Sequence, residues 1–271
     1  MSLGGSGKAM PAGWFVGCGN MGGAMVAGWV RAGRDLSKLT AISPSGREVP
    51  GVRVATDYPD ESPDWVWLGH KPYQIEEVAE KLAPRAKGAV VLSILAGVEC
   101  ATLRRLFPHA RAIVRLMPNL PVSHGEGVTG AYSDDADAAL RADISAVLAD
   151  LGTVPWGKSE ADLTAISTVA GSGPAYVARF IAALARQAEA LGLEPDVALA
   201  IALQTVAGTG LMARTSGEGM RELAVRVASP GGSTQAGLDV LDGEGGMDDL
   251  VARTVAAARR RTEEMAAEAR G

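Results

Sequence analysis

Short apolar runs alternate with amphipathic segments through the first half of the chain. The runs are three to seven residues long and rich in β-branched and aromatic side chains, which is typical of buried strands. The predicted strands are residues 14–16, 39–43, 52–55, 65–68, 89–95 and 112–115, and helices are predicted at residues 74–82 and 101–107. Because strands alternate with helices, the pattern predicts parallel βαβ units.

The pattern changes near residue 158, after which Ala-rich segments with helical spacing replace the strand signal. Residues 175–191 and 195–213 predict two long helices joined by residues 192–194, as in a helical hairpin. Their apolar surfaces are too broad to face water alone, so we expect a second subunit to cover them. The sequence therefore predicts a parallel-sheet α/β domain followed by an all-α dimerisation domain.

The predicted domain limits are residues 12–158 for the sheet domain and residues 159–271 for the helical domain. Residues 1–11 are rich in Gly and Ser and have no apolar core, which indicates a disordered leader or an expression remnant rather than a signal peptide. No uninterrupted run of 18 apolar residues occurs, and we therefore expect no segment to span a membrane.

A glycine motif directly follows the first predicted strand. Gly17, Gly19 and Gly22 have the spacing GxGxxG, and residues 24–30 then continue as a predicted helix. Glycines in this context allow a tight turn and let the backbone approach a pyrophosphate at a helix N-terminus. The motif predicts a Rossmann-like dinucleotide site, in which Cys18 is interpreted as a small packing residue.

The end of the second predicted strand bears on the choice of dinucleotide. An NAD-preferring site usually has Asp or Glu there, but this chain has Ser43, Ser45 and Arg47. Two hydroxyls and a guanidinium suit a 2′-phosphate, so the sequence favours NADPH, although Glu48 follows closely. NADH is the alternative cofactor.

Charge and cysteine usage exclude several other classes of function. The net charge of −5 argues against nucleic acid as a partner, because phosphate backbones require a basic surface. Cys18 and Cys100 lie far apart in the sequence, so neither a disulfide framework nor a metal site is predicted. A reducing, cytoplasmic location fits this usage.

A loop of small residues precedes a late predicted helix at residues 235–241. Residues 229–234, with the sequence SPGGST, are consecutive small residues that expose backbone N–H groups, which can form an anion site for a substrate carboxylate. An ordinary capped helix start is the alternative interpretation.

The chain resembles the 1-pyrroline-5-carboxylate reductase family, which catalyses the last step of proline synthesis. The segments that carry the resemblance are FVGCGNMG at 15–22, KP at 71–72, LAGV at 95–98, MPN at 117–119, GSGPAY at 171–176, QT at 204–205 and ASPGGST at 228–234. They are in order and extend over most of the chain. The resemblance implies NAD(P)H-dependent reduction of 1-pyrroline-5-carboxylate to L-proline by a homodimer, and similar proteins also form rings of dimers.

The motif and the resemblance together predict the site residues. The cofactor residues are Gly17, Cys18, Gly19, Asn20, Met21, Gly22, Ser43, Ser45, Arg47, His70, Lys71, Pro72, Leu95, Ala96, Gly97 and Asn119. The substrate residues are Ser172, Glu218, Ser229, Gly231, Gly232, Ser233 and Thr234. The resemblance implies that the Thr234 hydroxyl hydrogen-bonds the substrate ring nitrogen, which makes it the predicted catalytic residue. Ser172 is predicted to lie where the first long helix begins.

Hydride transfer to a protonated cyclic imine depends mainly on positioning, so it requires no catalytic histidine and no paired carboxylates. Consistent with this chemistry, His70, His109 and His124 have no triad or metal-ligand spacing. His70 adjoins the predicted cofactor edge, but a packing or binding role is favoured over catalysis.

Several positions depart from the family's usual pattern, namely Thr56, Tyr58, Gly69, His70, Leu120, Ala170, Val225 and Arg226. They leave two alternatives open: a reductase of pyrroline-2-carboxylate or piperideine-2-carboxylate, and a non-catalytic dinucleotide-binding homologue. A β-hydroxyacid dehydrogenase is disfavoured, because that class needs a catalytic lysine in the helical half and Lys158 is the last lysine of the chain.

Overall fold

The computed structural model describes residues 9–268, and most of the predicted leader lies outside the described residues. An eight-stranded sheet has the order β3-β2-β1-β4-β5-β6-β7-β8. Its strands are β1 (Gly13–Val16), β2 (Leu39–Ile42), β3 (Arg53–Ala55), β4 (Trp65–Leu68), β5 (Val90–Ser93), β6 (Ala112–Pro118), β7 (Gly127–Tyr132) and β8 (Gly152–Thr153). The predicted Rossmann-like sheet domain is confirmed.

The helices of the sheet domain are α1 (Asn20–Arg31), α2 (Ile75–Leu82), α3 (Cys100–Leu106) and α4 (Ala138–Leu148). The later part of the described chain contains α5 (Glu160–Ala190), α6 (Pro195–Ser216), α7 (Met220–Val227), α8 (Ser233–Leu241) and α9 (Met247–Glu268). This is the predicted order of a sheet domain followed by a helical domain.

The central strands are buried on both faces, which explains why they appear as continuous apolar runs. In β1, Phe15 packs with Trp29 and Trp67 on one face of the sheet, whereas Trp14 and Val16 pack on the other. Burying large side chains on both sides holds the central strands in place, and with them the loops at their ends.

The far edge of the sheet differs from the prediction. The sequence patterns predicted no strand at Gly127–Tyr132 or Gly152–Thr153, yet β7 pairs antiparallel with β6, and β8 pairs parallel with β7. The predicted parallel sheet is therefore confirmed, except that β7 runs antiparallel to β6 at this edge. Gly127 and Gly130 allow close packing there, because a Cβ on Gly130 would lie 2.8 Å from the Ile166 side chain.

The long helix α5 begins at Glu160, earlier than predicted. Ser172 lies inside this helix, so the prediction that Ser172 opens it is wrong. The helix continues through Pro174, although proline removes one backbone hydrogen bond from a helix interior.

An ion pair ties the first residue of α5 to the sheet. Arg115 of β6 pairs with Glu160, and the same carboxylate accepts a hydrogen bond from the backbone N–H of Cys100 at 2.8 Å. The Arg115 side chain is only 8% exposed. Glu160 therefore satisfies both a buried cation and the first N–H group of α3.

The described chain divides into two compact units. The first extends through Ser172 and includes the end of α9 from Glu263, and the second is Gly173–Thr262. The division falls inside α5, beyond the predicted limit at residue 158. The second unit exposes many large apolar side chains, including Leu199, Leu203 and Leu211.

Among the described helices, α6 is long and apolar enough to cross a membrane by length and composition alone. An 18-residue stretch of α6 has a mean hydropathy of 1.4 and is 11% buried among the described residues. The sequence criterion was an uninterrupted run of 18 apolar residues. A stretch with a few polar residues can still have a high mean hydropathy, so α6 did not meet that criterion. The same features are expected of a helix that is covered by another subunit.

Candidate active site

The first unit gathers the predicted cofactor residues at one edge of the sheet. They follow the carboxyl ends of β1, β2, β4, β5 and β6, at residues 17–22, 43–47, 70–72, 95–97 and 119. β1 lies between β2 and β4. The strands that follow β1 are therefore added first on one side of it, as β2 and β3, and then on its other side, from β4 onward. Ligands of doubly wound sheets bind at such a switch point.

The glycine turn between β1 and α1 is shaped for a closely approaching ligand. Gly17 has φ +79°, and a Cβ there would lie 2.6 Å from the backbone of His70. Gly22 packs against the Phe15 ring, where a Cβ would come within 2.8 Å. At Gly19, by contrast, a Cβ would meet no described atom within 4 Å.

The open position at Gly19 is also the N-cap of α1. Gly19 has φ −80° and ψ −150°, and no side chain of the described residues caps the helix. The first N–H groups of α1 therefore have no side-chain cap among the described residues, and the positive end of the helix dipole favours an anion such as a pyrophosphate there. The Asn20 and Met21 backbones belong to this first turn.

Cys18 behaves as a packing residue within the turn. Burial raises the pKa of its thiol to about 11, and the positive charge of Arg47 partly opposes the shift. The thiol is therefore protonated near neutral pH, as expected for a small residue that fits the turn.

The loop after β2 carries the residues predicted to select NADPH. The Ser43 and Ser45 hydroxyl oxygens lie 3.3 Å apart, and Ser45 and Arg47 are exposed. The effect of Arg47 on the pKa of Cys18 places its charge near the glycine turn. We call the glycine turn and the N-terminus of α1, at residues 17–22, the cradle. Two hydroxyls and one cation therefore lie on its β2 side.

The residues after β4 and β5 form the opposite flank. His70 Nδ1 lies 2.9 Å from the Lys71 carbonyl oxygen, which can only accept, so Nδ1 is the donor. Burial lowers the pKa of His70 and favours its neutral form. Pro72 starts a 3₁₀ turn, and the segment at residues 95–97 passes from buried Leu95 to Gly97 at φ +75°.

Asn119 is engaged by the protein itself. It is 7% exposed, its Oδ1 accepts from the Val128 N–H at 2.8 Å, and its Nδ2 donates to the Ala170 carbonyl at 2.9 Å. The protein itself therefore engages both ends of the Asn119 amide, and the role in holding the cofactor stays a prediction.

The second unit contains the predicted substrate loop. Gly231 has φ +70°, the N–H of Gly232 donates to the Ser229 carbonyl at 2.9 Å, and α8 begins at Ser233. Thr234 therefore lies in the first turn of α8, two residues beyond its N-cap. The sequence pattern predicts it just before the helix. Ser233 and Thr234 are both exposed, and Gly232 provides no side-chain cap.

Glu218 is paired within the second unit. Its Oε1 lies 3.0 Å from Arg226 Nη1, and its Oε2 is buried without a hydrogen-bond partner among the described residues. Arg226, one of the departures from the family pattern, thus neutralises this carboxylate. In the part of the chain that the structure describes, no group of three or more His, Cys, Asp or Glu residues could hold a metal ion.

Comparison with known proteins covers both halves of the chain. Residues 160–265 match the family model for pyrroline-5-carboxylate reductase dimerisation, and residues 14–97 match that for coenzyme F420-dependent NADP oxidoreductases. Matching of the dimerisation model indicates self-association through the helical half.

Relatives match over nearly the full length. Pyrroline-5-carboxylate reductase from Pseudomonas aeruginosa is 32% identical, with 93% of this chain and 96% of that protein covered. Pyrroline-5-carboxylate reductase 2 from Bacillus subtilis is 34% identical, with 84% of this chain and 85% of that protein covered. The structure of a pyrroline-5-carboxylate reductase from Coxiella burnetii has a TM-score of 0.87 at 31% identity, with 94% and 98% covered. The chain belongs to the pyrroline-5-carboxylate reductase family.

Proposed function

We propose that this protein reduces 1-pyrroline-5-carboxylate to L-proline with a hydride from NAD(P)H. The observation that carries the proposal is the cradle at the carboxyl end of β1, where Gly19 is open and the N-terminus of α1 is uncapped. Such a cradle fits a dinucleotide pyrophosphate, and the chain that contains it belongs to a family of imine reductases.

The proposed cofactor residues surround this cradle. The backbone of residues 17–22 binds the pyrophosphate, and residues 70–72 and 95–97 line the nicotinamide side. Ser43, Ser45 and Arg47 bind a 2′-phosphate, which makes NADPH the preferred cofactor and NADH the weaker one. The charge of Arg47 near the glycine turn supports this preference.

The substrate is held by the loop before α8 in this proposal. The backbone N–H groups at residues 232–234 bind the carboxylate, Ser229 shapes the loop, and Thr234 hydrogen-bonds the ring nitrogen. Ser172 and Glu218 are proposed to lie near the substrate as well. The exposed first turn of α8 supports an anion site, because its N–H groups have no side-chain cap.

The reaction needs little acid catalysis from the protein. When bound, the reduced nicotinamide supplies a hydride that forms a C–H bond at the C=N carbon, while the C=N π electrons move to nitrogen. Because the protonated imine already carries the nitrogen proton, Thr234 only has to orient the ring and retain that hydrogen bond. The protein contributes alignment and the exclusion of water.

The proposed functional boundary lies between residues 158 and 159, with residues 12–158 binding the dinucleotide and residues 159–271 binding substrate and a second subunit. The start of α5 at Glu160 supports this boundary. A homodimer, with a ring of dimers as its higher assembly, is the proposed form. The proposed location is the cytoplasm, where the two buried free cysteines remain reduced.

The direct test follows the absorbance of NADPH and of NADH with three cyclic imines: pyrroline-5-carboxylate, pyrroline-2-carboxylate and piperideine-2-carboxylate. We expect the fastest oxidation with NADPH and pyrroline-5-carboxylate, with L-proline identified by chiral chromatography. A faster reaction with either 2-carboxylate would replace the substrate assignment. Cofactor binding without any turnover would indicate a non-catalytic homologue.

The substitution Thr234→Ala tests the predicted catalytic residue. Loss of one hydrogen bond to a charged group corresponds to roughly a ten- to hundredfold fall in kcat/KM for the imine, with the NADPH Kd unchanged. Thr254→Ala is the matched control, because the Thr254 hydroxyl bonds only the Leu250 carbonyl of its own helix among the described contacts. Wild-type kinetics in Thr234→Ala would remove this residue from the mechanism.

A further inference from the structure

The interior of α5 contains a carbonyl group that lacks its usual helical partner. In an α-helix the N–H of each residue donates to the carbonyl four residues earlier, and Pro174 has no N–H. The carbonyl left without a donor is that of Ala170, because it lies four residues before Pro174. A partly buried carbonyl without a partner is unfavourable, so another donor is expected.

Asn119 provides this donor. Its Nδ2 lies 2.9 Å from the Ala170 carbonyl oxygen, while its Oδ1 accepts from the Val128 N–H at 2.8 Å. The orientation of the amide follows from these partners, since an N–H can only donate and a carbonyl can only accept. The backbone N–H of Asn119 also donates to the Val128 carbonyl at 3.1 Å, and this bond holds Asn119 against β7.

The position of this contact gives it functional meaning. Asn119 directly follows β6, at the sheet edge that holds the proposed cofactor site, and Ala170 lies two residues before Ser172. At its other end, the same part of α5 is tied to β6 through the Glu160–Arg115 ion pair. Two partly buried polar contacts thus fix the first turns of α5 against one strand and the loop that follows it.

We infer that Asn119 is a positioning residue: it replaces the N–H that Pro174 lacks, and so fixes the helical turn that carries Ser172 at the carboxyl edge of the sheet. The inference rests on the proposed function, because the turn matters only if the substrate reacts there. Asn119 then acts through α5 and does not need to touch the cofactor.

A double-mutant cycle between Asn119→Ala and Pro174→Ala tests this role. Pro174→Ala restores a backbone N–H for the Ala170 carbonyl, so it should make the Asn119 side chain dispensable there. The lost Val128 contact is the same in both backgrounds and cancels from the cycle. We expect Asn119→Ala to lower kcat about tenfold in the wild-type background and less than about twofold in the Pro174→Ala background.

Two further readouts separate positioning from cofactor binding and from general instability. The NADPH Kd should stay within about twofold in all four proteins, because the lost contact lies outside the cradle. Without cofactor, amide hydrogen exchange at residues 168–175 should be faster in Asn119→Ala and return toward normal in the double variant. If the alanine variant does not fold, Asn119→Asp replaces it, since it keeps an acceptor for Val128.

Ser133→Ala is the matched control for a lost buried hydrogen bond. The Ser133 hydroxyl is buried and donates to the Ile113 carbonyl at 2.6 Å, so its removal should lower Tm without changing kcat or exchange at residues 168–175. Equal kcat losses for Asn119→Ala in both backgrounds, or unchanged exchange in α5, would overturn the inference. A tenfold weaker NADPH Kd would instead assign Asn119 to cofactor binding. Failure of the wild-type protein to reduce any imine would contradict the proposed function, and with it the positioning role. Amide hydrogen exchange at residues 168–175 would still show whether Asn119 stabilises this turn of α5.

Discussion

The two outer glycines and the middle glycine of the nucleotide turn have different physical roles. At Gly17 the backbone has a positive φ and the His70 backbone leaves no space for a side chain. At Gly22 the Phe15 ring fills the space that a side chain would need. Neither constraint applies at Gly19, since its φ is ordinary and its surroundings are open. Substitution at Gly19 should therefore affect the ligand and not the protein.

We predict that Gly19→Ala folds with a Tm close to that of the wild type but binds NADPH at least about tenfold more weakly, because the methyl group occupies the pyrophosphate space. Gly17→Ala should instead lower the free energy of unfolding by about 2 kcal/mol or more, through strain at positive φ and overlap with His70. Energy transfer from tryptophan to NADPH measures the Kd, and urea unfolding measures stability.

Gly23→Ala is the control for the glycine predictions, because Gly23 lies inside α1 in equally open surroundings. It should bind NADPH normally and gain about 0.5–1 kcal/mol of stability from better helix propensity. Normal NADPH binding by Gly19→Ala would contradict the placement of the pyrophosphate.

Strands buried on both faces could be located from the sequence, whereas the edge strand β7 could not. β1, β4 and β5 are continuous apolar runs, and their positions were predicted to within two residues. β7, with the sequence GVTGAY, has two glycines and a threonine where an apolar run is expected, so local pattern gave no strand. Its pairing depends on β6, which is a tertiary contact.

The start of α5 was misplaced for a related reason. The sequence Gly-Ser-Gly-Pro at residues 171–174 has the composition of a helix start, since proline is favoured in the first turn. The helix continues through it because Asn119, more than 50 residues earlier, satisfies the carbonyl that Pro174 leaves free. The ion pair between Arg115 and Glu160 is likewise a contact between distant residues that no local spacing indicates.

At the scale of elements, the attachment of α5 to the sheet can be measured. We predict that Glu160→Ala lowers the free energy of unfolding by about 3 kcal/mol, because it leaves the buried Arg115 guanidinium unpaired and removes the acceptor of the Cys100 N–H. Urea unfolding provides the measurement. Glu77→Ala is the control: its partner Lys81 is one helical turn away and both side chains are exposed, so the change should stay within about 0.5 kcal/mol. Equal losses in the two variants would show that the pair between Arg115 and Glu160 does not hold α5.

At the scale of the whole molecule, the helical half carries apolar surface that the described residues do not cover. Leu199, Leu203 and Leu211 are each more than half exposed, and with Ala207 they recur every four residues along α6. Side chains four residues apart share one face of a helix, so these positions form a continuous stripe. The match of residues 160–265 to the family's dimerisation model identifies a second copy of the chain as the partner for such a surface.

A charge placed in this stripe should therefore separate the subunits without unfolding the dinucleotide domain. We predict that Leu203→Glu shifts the molar mass measured by light scattering from at least twice the chain mass toward that of a single chain at micromolar concentration, because a carboxylate cannot be buried there unpaired. NADPH binding should persist, since the cradle lies in the first unit. Tyr73→Glu is the control, because Tyr73 is 83% exposed in the sheet domain and the mass should not change. An unchanged mass for Leu203→Glu would place the subunit contact on another face of the helical half, and the apolar character of α6 would then require a different partner.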